Sequence, residues 1–407
     1  MKGNVASLYI HIPFCKQRCA YCDFFSTVPR DESVYAPYTQ ALLKDIEFFK
    51  SLYALDSFCT VYIGGGTPSL LPLPLVEELC SYLHSTQSLP IEEFTIEANP
   101  QDITADRLHH WQDCGINRLS LGIQSLNDEV LRKEGRRGGR VESLRVLEQA
   151  KREWKGILSL DFIAGLKGQE ASSLLSDLHL ALQFEPSHVS LYELIPHGSD
   201  ADDYEARERR EKLWECAASL LEKEGYIQYE VSNFSQRGKF ECIHNKAYWK
   251  MMDYVGVGAA AVGTMQLREK IPKDRLWALE LKVERETRAL RSTGVQDVST
   301  YIAQEKRQYA YEWEEVSANE LLKDALLMGF RLREGVDDSD FKARFASSLI
   351  SLLPKTIAKW QERGLLSVEE REGNSGVPLQ TSHLKLTKKG MMLLNSFLCD
   401  AFAELDE

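Results

Sequence analysis

Three cysteines near the start of the chain have a spacing that suits a metal or iron–sulfur site. Cys15, Cys19 and Cys22 lie in CKQRCAYC, a Cx3Cx2C arrangement, whereas the other six of the nine cysteines are scattered singly. Zinc and cluster iron both accept thiolate sulfur, but zinc sites usually have a second Cys or His pair, which the sequence does not show. His11, four residues upstream, is a possible fourth ligand. Three thiolates favour a [4Fe–4S] cluster with one iron open to another ligand.

The sequence around this motif predicts alternating strands and helices. Short β-rich runs occur at 5–12, 60–65, 93–98, 117–123, 157–163 and 188–194. Amphipathic stretches lie near 35–53, 74–86, 104–113, 127–154, 172–184 and 203–224. Six β/α units in series predict a parallel sheet with helices outside, either doubly wound or closed toward a barrel. Both arrangements place chemistry at the carboxyl ends of the strands, and the cysteine motif directly follows the first strand.

The rest of the chain lacks this alternation and predicts a second, smaller unit. Helices are expected at 275–292, 317–333, 349–363 and 390–405, with two short strands near GLLSVEE and HLKLTKKG. Helices followed by a two-stranded wing predict a winged-helix-like α+β domain with an exposed tip over 369–380. The expected division is a barrel over 1–235, a connection over 236–270 and a C-terminal domain over 271–407.

The cysteine motif, with Tyr21 just before its last cysteine, resembles that of the radical S-adenosylmethionine (SAM) superfamily. The resemblance implies a partial (β/α)6 TIM-like barrel, a [4Fe–4S] cluster on Cys15, Cys19 and Cys22, and SAM bound to the open iron. In that superfamily, reductive cleavage of SAM gives methionine and a 5′-deoxyadenosyl radical. The implied SAM contacts are Tyr9, Tyr21, Gly65, Gly66, Thr67, Glu97, Gln124, Arg136, Asp161 and Ile195.

Several of these residue types suit the chemical groups of SAM. The glycines of Gly64-Gly65-Gly66 permit a close approach of the backbone to a ligand. The carboxylate of Glu97 can accept two hydrogen bonds from a ribose diol, and Arg136 can pair with a carboxylate in a forked geometry. Taken alone, each of these residues would more often form part of a turn, cap a helix or belong to an ion pair. Their shared position at the strand ends favours a binding role.

Further motifs narrow the resemblance to the coproporphyrinogen III oxidase-like branch. YIHIPFC, YIGGGTPSLL, IEANP, RLSLGIQS and LDFIAGL occur in this order. Oxidase members typically have a further cysteine after the motif and an N-terminal extension, whereas here Asp23 and Phe24 follow Cys22 and little precedes the first strand. Residues 244–249, HNKAYW, match the HNxxYW motif of the heme-chaperone members. These differences favour a heme chaperone, with the oxygen-independent oxidase as the alternative.

His244 is the heme contact that this resemblance implies. Neutral imidazole is a common axial ligand of heme iron, and Tyr248 and Trp249 could stack on a porphyrin. Cys242 is a possible second ligand, and the alternative role of His244 is to anchor the connection between domains. The resemblance further implies heme, an electron donor and a recipient apo-haemoprotein, such as a membrane respiratory enzyme, as partners.

Composition limits the remaining classes of function. Lys and Arg number 49 against 61 Asp and Glu, a net charge of −12, which argues against general binding to nucleic acid. The sequence predicts neither a signal peptide nor a bilayer-spanning stretch, so a cytoplasmic location is expected. A third hypothesis, a scaffold with a structural metal, predicts that SAM is not cleaved.

Overall fold

Six parallel strands alternating with helices form the centre of the fold. The computed structural model describes residues 4–195, 204–267, 276, 287–371 and 381–406. The central strands are β1 (Val5–Ile12), β2 (Ser57–Gly65), β3 (Glu93–Ala98), β4 (Arg118–Gln124), β5 (Ile157–Ala164) and β6 (His188–Glu193). The helices are α1 (Tyr35–Tyr53), α2 (Leu73–Ser85), α3 (Ala105–Asp113), α4 (Asp128–Lys133), α5 (Arg140–Glu153), α6 (Ala171–Leu182) and α7 (Tyr204–Lys223). The six predicted β/α units are therefore confirmed, because hydrophobic periodicity marks both kinds of element.

The segment after α7 contributes further strands to the same sheet. Its elements are β7 (Tyr226–Gln228), β8 (Asn233–Gln236), α8 (Ile243–Trp249), β9 (Tyr254–Val257) and β10 (Val262–Gln266). They are followed by β11 (Ala289–Gly294), α9 (Val298–Ala303) and β12 (Tyr311–Val316). The sheet has twelve strands in the order β12-β11-β10-β9-β1-β2-β3-β4-β5-β6-β8-β7. β9 pairs parallel to β1, and antiparallel strands extend both edges.

The helix predicted over 275–292 is wrong from residue 287 onward, because residues 287 and 288 are not helical and a strand begins at residue 289. Residues 289–294 are a strand in which Ala289 and Leu290 are fully buried, and its register with β12 runs from Ala289 opposite Val316 to Gly294 opposite Tyr311. Pairing within the sheet outweighed the local helical pattern. Residues 277–286 lie outside the described part of the chain.

The twelve-stranded sheet and its helices form a partial TIM-like barrel. Together with an α+β C-terminal domain, this barrel gives a mixed α/β fold. Apolar residues on the outer face of the sheet, such as Leu8, Ile10 and Leu119, belong to one large buried cluster with helix residues such as Leu42 and Leu79. This packing fixes the strands, so the inner face and the carboxyl ends of the strands are free to carry polar side chains.

The C-terminal elements form a second core. They are α10 (Ala318–Gly329), β13 (Val336–Asp337), α11 (Asp338–Phe345), α12 (Leu349–Leu352), α13 (Pro354–Glu362), β14 (Leu366–Arg371), β15 (Thr381–Leu386), α14 (Lys388–Met392) and α15 (Leu394–Leu405). A three-stranded sheet, β13-β15-β14, packs with helices around Phe330, Trp360 and Phe397. Most of the predicted wing tip, residues 372–380, lies outside the described residues. The main sheet continues through Val316, and the predicted domain boundaries stay predictions.

Candidate functional site

The three motif cysteines lie in the loop that follows β1. This loop is tied down by backbone hydrogen bonds from Cys15 N to Thr27 O (2.9 Å) and from Ala20 N to Glu134 O (2.9 Å). All three cysteines are free thiols; Cys15 is buried, and Cys19 and Cys22 are half-buried. Their side chains line one cavity, together with Gly66, Thr67, Asn99 and Arg136 among others. The loop therefore presents its thiols to a common space.

Hydrogen-bond donors point at the cysteine sulfurs. The Thr67 hydroxyl donates to Cys15 Sγ at 3.5 Å, and Arg136 Nη1 donates to Cys19 Sγ at 3.9 Å. The Tyr21 side chain also bonds to Cys19, and the pKa of Tyr21 is raised, mainly by burial. Burial acts in the opposite sense at Cys22, where it raises the pKa of the thiol. Donors of this kind favour the thiolate form that binds iron.

The residue types therefore fit an iron–sulfur cluster, although the three thiols are not arranged as a metal-binding group. Within the described ranges, no three Cys, His, Asp or Glu side chains form a ready-made metal group. His11 is turned to other partners: Nε2 donates to Phe25 O (2.9 Å), so Nδ1 accepts from the Tyr9 hydroxyl (2.9 Å). Burial lowers the pKa of His11, which keeps the ring neutral. His11 is thus not arranged as a fourth ligand.

Two hydrogen bonds hold the Glu97 carboxylate near the end of β3. Glu97 is the last residue but one of this strand and accepts hydrogen bonds from the Tyr62 hydroxyl (2.8 Å) and from Gly65 N (3.0 Å). Burial raises its pKa to about 7, against the lowering effect of the Tyr62 hydrogen bond. Gly65 has φ +115°, and a Cβ there would come within 2.6 Å of His11, so the close approach requires glycine.

The next two strands carry Gln124, at the end of β4, and Asp161, within β5. The Asp161 carboxylate accepts from Ser120 Oγ at 2.9 and 3.1 Å, and burial raises its pKa. Gln124 has a left-handed backbone, φ 65°, and its side chain lies against Gly122 beside Arg136. Arg136 Nη2 donates to Asn99 Oδ1 at 2.7 Å. Arg136 therefore connects the ends of β3 and β4 with the cysteine loop.

The ten predicted SAM residues do not all line the same cavity. Tyr21, Gly66, Thr67 and Arg136 line the cavity of the cysteines, whereas Tyr9, Gly65 and Glu97 line a second, larger cavity. Gln124 lies next to Arg136, and Asp161 is held by Ser120 on the adjacent strand. Ile195 is 73% exposed and lies two residues beyond β6, so it is the least enclosed of the set.

A large cavity lies between the barrel and the C-terminal elements. Its volume is about 780 Å³, within the ~300–1,000 Å³ range of small-molecule sites. The residues around it include aromatic and methionine side chains from β1, β2, α8 and α10 and several charged groups. Its lining includes Tyr9, Tyr62, Tyr192, Tyr248, Trp249, Tyr254, Met251, Met252, Met328, Arg291 and Asp324. An apolar wall with a few polar groups suits a large planar ligand.

His244 lies in the wall of this cavity with both ring nitrogens bonded. Thr60 donates its own proton to Ser7 Oγ (2.9 Å), so it accepts from His244 Nδ1 (2.8 Å), which leaves Nε2 to accept from the Tyr248 hydroxyl (2.8 Å). His244 is fully buried, and burial lowers its pKa to about 3. A metal could reach Nε2 only after the Tyr248 hydroxyl had moved away.

The start of α8 is anchored on the amino end of β3. Glu93 accepts from the backbone N–H groups of Ile243 (3.1 Å) and His244 (2.9 Å), and Cys242 Sγ lies 3.2 Å from the same carboxylate. Arg118 forms a buried ion pair with Glu93, with N and O 3.4 Å apart. Cys242 is thus bonded to Glu93, and it is not arranged as a second heme ligand.

Sequence reasoning missed four residues that hold these sites together. Tyr62 and Asn99 bond to Glu97 and Arg136, respectively, and Glu93 and Thr60 hold the His244 helix. The available signals were that Tyr62 lies in the predicted strand 60–65 and that Asn99 directly follows the predicted strand 93–98. Glu93 and Thr60 had none, because their partners are about 150 and 184 residues away in the sequence.

The fold and the cysteine loop define a radical SAM protein of the coproporphyrinogen III oxidase-like branch. The radical SAM superfamily model matches residues 9–181, and the HemN C-terminal domain model matches residues 316–372. A solved structure of coproporphyrinogen III oxidase (HemN) from Escherichia coli superposes with a TM-score of 0.76, covering 98% of this chain and 90% of that one. The two chains are 19% identical, so this likeness concerns the fold.

Curated relatives identify the family more closely. The chain is 30% identical to the heme chaperone HemW of Lactococcus lactis over 88% of its own length and 90% of that protein. It is 37% identical to the heme chaperone HemW of Escherichia coli over 63% of its length and 69% of that protein. The chain belongs to the HemW family of radical SAM proteins. None of the described helices has the length and apolar character that a membrane crossing requires.

Proposed function

We propose that this protein binds heme in the large cavity and delivers it to a recipient apo-haemoprotein. The observation that carries the proposal is the similarity to heme chaperones along nearly the whole length of the chain, including the α8 motif. The cavity of about 780 Å³ supports it, because its aromatic and methionine wall suits a flat macrocycle. A recipient such as a membrane respiratory enzyme remains part of the proposal.

The same proposal assigns a [4Fe–4S] cluster to Cys15, Cys19 and Cys22, and SAM to the strand ends. When bound, the cluster would supply the electron that cleaves SAM reductively. Arg136 would pair with the carboxylate of SAM, because its guanidinium already lies between the cysteine loop and Asn99. Glu97 would bind the ribose hydroxyls, since its carboxylate is held in place by Tyr62 and Gly65. The other predicted residues would enclose the adenosine.

Heme iron would meet the His244–Tyr248 pair. His244 is held by Thr60 and covered by the Tyr248 hydroxyl, so an iron bond to Nε2 would require the Tyr248 ring to turn. The ring contacts of Tyr248 with Tyr254 (4.6 Å between centroids) and with His244 (4.9 Å) would have to change with it. Heme binding by His244 is therefore expected to be slower than simple diffusion into an open pocket.

Anaerobic titration of the reconstituted protein with heme tests this function. We expect a stable complex with an absorbance band shifted from that of free heme, and a weakened or altered band in His244→Ala. His109→Ala is the matched control, because His109 is an exposed histidine paired with Glu153. Transfer is measured by adding an apo-haemoprotein and following the appearance of its holo spectrum.

The oxidase alternative makes the opposite prediction in the same preparation. Phe24, which stands where oxidase members have a further cysteine, is 64% exposed and lines the large cavity. If the protein took up no heme and decarboxylated coproporphyrinogen III, the chaperone proposal would be wrong. 5′-Deoxyadenosine formation from SAM and dithionite would exclude the scaffold hypothesis.

A further inference from the structure

Arg291 is the one permanently charged cation among the described residues that line the large cavity. No lysine and no second arginine lines it in that part of the chain. The two lining histidines, His11 and His244, are neutral near pH 7, because burial lowers the pKa of each. The Arg291 side chain is 27% exposed, so its guanidinium is in contact with both the cavity and the solvent.

The register of the sheet places Arg291 on the same face as the aromatic wall of the cavity. Tyr254 of β9 lies opposite Thr264 of β10, and Thr264 lies opposite Arg291 of β11. Neighbouring strands are about 4.8 Å apart, so the backbone of Arg291 is roughly 10 Å from that of Tyr254. The Tyr254 ring is 4.6 Å from the Tyr248 ring, whose hydroxyl is bonded to His244 Nε2. These side chains therefore connect the candidate iron ligand with the cation.

Two carboxylates of the protein pair with Arg291 in this structure. Arg291 Nη1 donates to Glu314 Oε2 at 2.9 Å, and Nη2 donates to Asp324 Oδ2 at 2.6 Å. Glu314 lies opposite Arg291 on β12 and is 55% exposed, whereas Asp324 belongs to α10 and lines the cavity. A guanidinium has more N–H donors than these two bonds use, so Arg291 can also bind a carboxylate of a ligand.

The other charged groups of the described cavity lining are carboxylates. Besides Asp324, they are Glu97, which the proposed function assigns to SAM, and Asp23, which is exposed. Carboxylates repel an anionic group that enters the cavity, and a buried charge is costly unless it is paired. The anionic edge of a ligand is therefore favoured only beside Arg291.

We propose that Arg291 binds a carboxylate of heme and that Asp324 competes with heme for this guanidinium. The inference rests on the proposed function, because it concerns the same heme in the same cavity. Heme carries its propionate carboxylates at one edge of the macrocycle, away from the central iron. An iron contact at His244 and a carboxylate contact at Arg291 would thus hold different parts of one molecule. Arginine suits this role because its planar guanidinium pairs with a carboxylate through two parallel hydrogen bonds.

The competition follows from the position of Asp324. A heme carboxylate that formed a forked pair with Arg291 would replace the bond that Asp324 now makes to Nη2. Burial raises the pKa of Asp324, so an Asp324 that lost its cation would take up a proton more readily. Heme binding would then also remove one bond between β11 and α10 of the C-terminal domain.

The test compares heme with its dimethyl ester, in which the carboxylates are blocked while the iron and the ring are unchanged. Each compound is titrated into the reconstituted protein, and Kd is obtained from the absorbance. The wild type should bind heme at least ~10-fold more tightly than the ester, the size expected for hydrogen bonds to a charged group.

Two variants should change this preference in opposite directions. Arg291→Gln should weaken heme binding to the level of the ester and leave ester binding unchanged. Asp324→Asn should strengthen heme binding by roughly threefold, because it removes a competing charge, and should also leave the ester unchanged. Should Arg291→Gln fail to fold, as judged by thermal unfolding, the preferences of the wild type and of Asp324→Asn decide the question.

Arg288→Gln is the matched control. It removes the same charge from an exposed residue that directly precedes β11, and it should keep the wild-type preference. His244→Ala should weaken heme and ester binding by the same factor, because both compounds carry the iron. The ratio of the two Kd values therefore separates the carboxylate contact from the iron contact.

Three outcomes would contradict these assignments. Equal binding of heme and ester by the wild type would overturn the role of Arg291, and so would a wild-type preference in a folded Arg291→Gln variant. Unchanged heme affinity in Asp324→Asn would overturn the competition. Failure of the wild type to bind either compound would instead contradict the proposed heme-binding function, and the role of Arg291 with it.

Discussion

The cysteine loop and the His244 helix each carry a sequence motif that resembles one of the family. The reactive atoms of the two motifs are, however, hydrogen-bonded in different ways. The cysteine sulfurs receive hydrogen bonds from Thr67 and Arg136 and face a shared cavity. The two nitrogens of His244 are both used by the protein itself, by Thr60 and by Tyr248. A motif match thus places a residue in a family, and only its partners show whether it is ready to bind a ligand.

The largest expected effect is the loss of the cluster when a cysteine of the loop is replaced. Cys19→Ser should reduce the iron and sulfide content of anaerobically reconstituted protein to background, because serine does not replace a thiolate on cluster iron. Both contents are measured chemically, per chain. Cys216→Ser, which changes an exposed cysteine on α7, is the control and should bind iron normally. Unchanged iron in Cys19→Ser would remove the basis for a cluster on this loop.

The second effect tests the anchor of the His244 helix. Glu93→Gln leaves Arg118 buried without its charged partner, and breaking a buried pair costs about 3–5 kcal/mol. We expect the free energy of unfolding in urea to fall by that amount. Glu92→Gln changes the exposed neighbouring carboxylate and should be neutral within about 0.5 kcal/mol. Equal stability of the two variants would show that the ion pair does not hold α8.

The third effect concerns Glu97, whose pKa is raised to about 7 by burial. A folded-state pKa above the unfolded value means that the folded state holds an extra proton between the two, so stability falls as pH rises through about 7. Glu97→Gln should remove this loss and be more stable than the wild type by about 1–3 kcal/mol at pH 8. Thermal unfolding of the cofactor-free protein across pH 5–8 measures the difference. A wild-type curve that stays flat would contradict the raised pKa.

The smallest expected effect separates the contribution of Tyr248 to stability from its effect on the access of heme iron to His244. Tyr248→Phe removes the hydroxyl that covers His244 Nε2, so it should cost about 1 kcal/mol of unfolding free energy. If His244 binds iron, this variant should also take up heme faster, since no hydroxyl is hydrogen-bonded to Nε2. Tyr309→Phe, at a 46% exposed position, is the matched control. Slower heme uptake by Tyr248→Phe would assign the iron contact to the phenol instead.

The central strands were predictable because each is a short buried run between turn signals. The ends of β1 and β5, for example, fall at or within one residue of the predicted ends, 12 and 163. β11 was not predicted, because its strand character depends on pairing with β10 and β12. The local sequence pattern predicts an element well when the periodicity of that element decides which residues are buried. It predicts the element poorly when pairing with a distant strand decides this.

The sequence by itself determined the six β/α units, the C-terminal domain type and the three cysteines of the loop, because spacing and periodicity are local properties. The tertiary structure alone decided that Arg136 reaches Cys19 and that Thr60 and Tyr248 occupy both nitrogens of His244. These bonds join residues up to 184 positions apart. Hydrogen bonds have strict distance and angle limits, so only the folded positions of the strands and helices decide which polar groups meet.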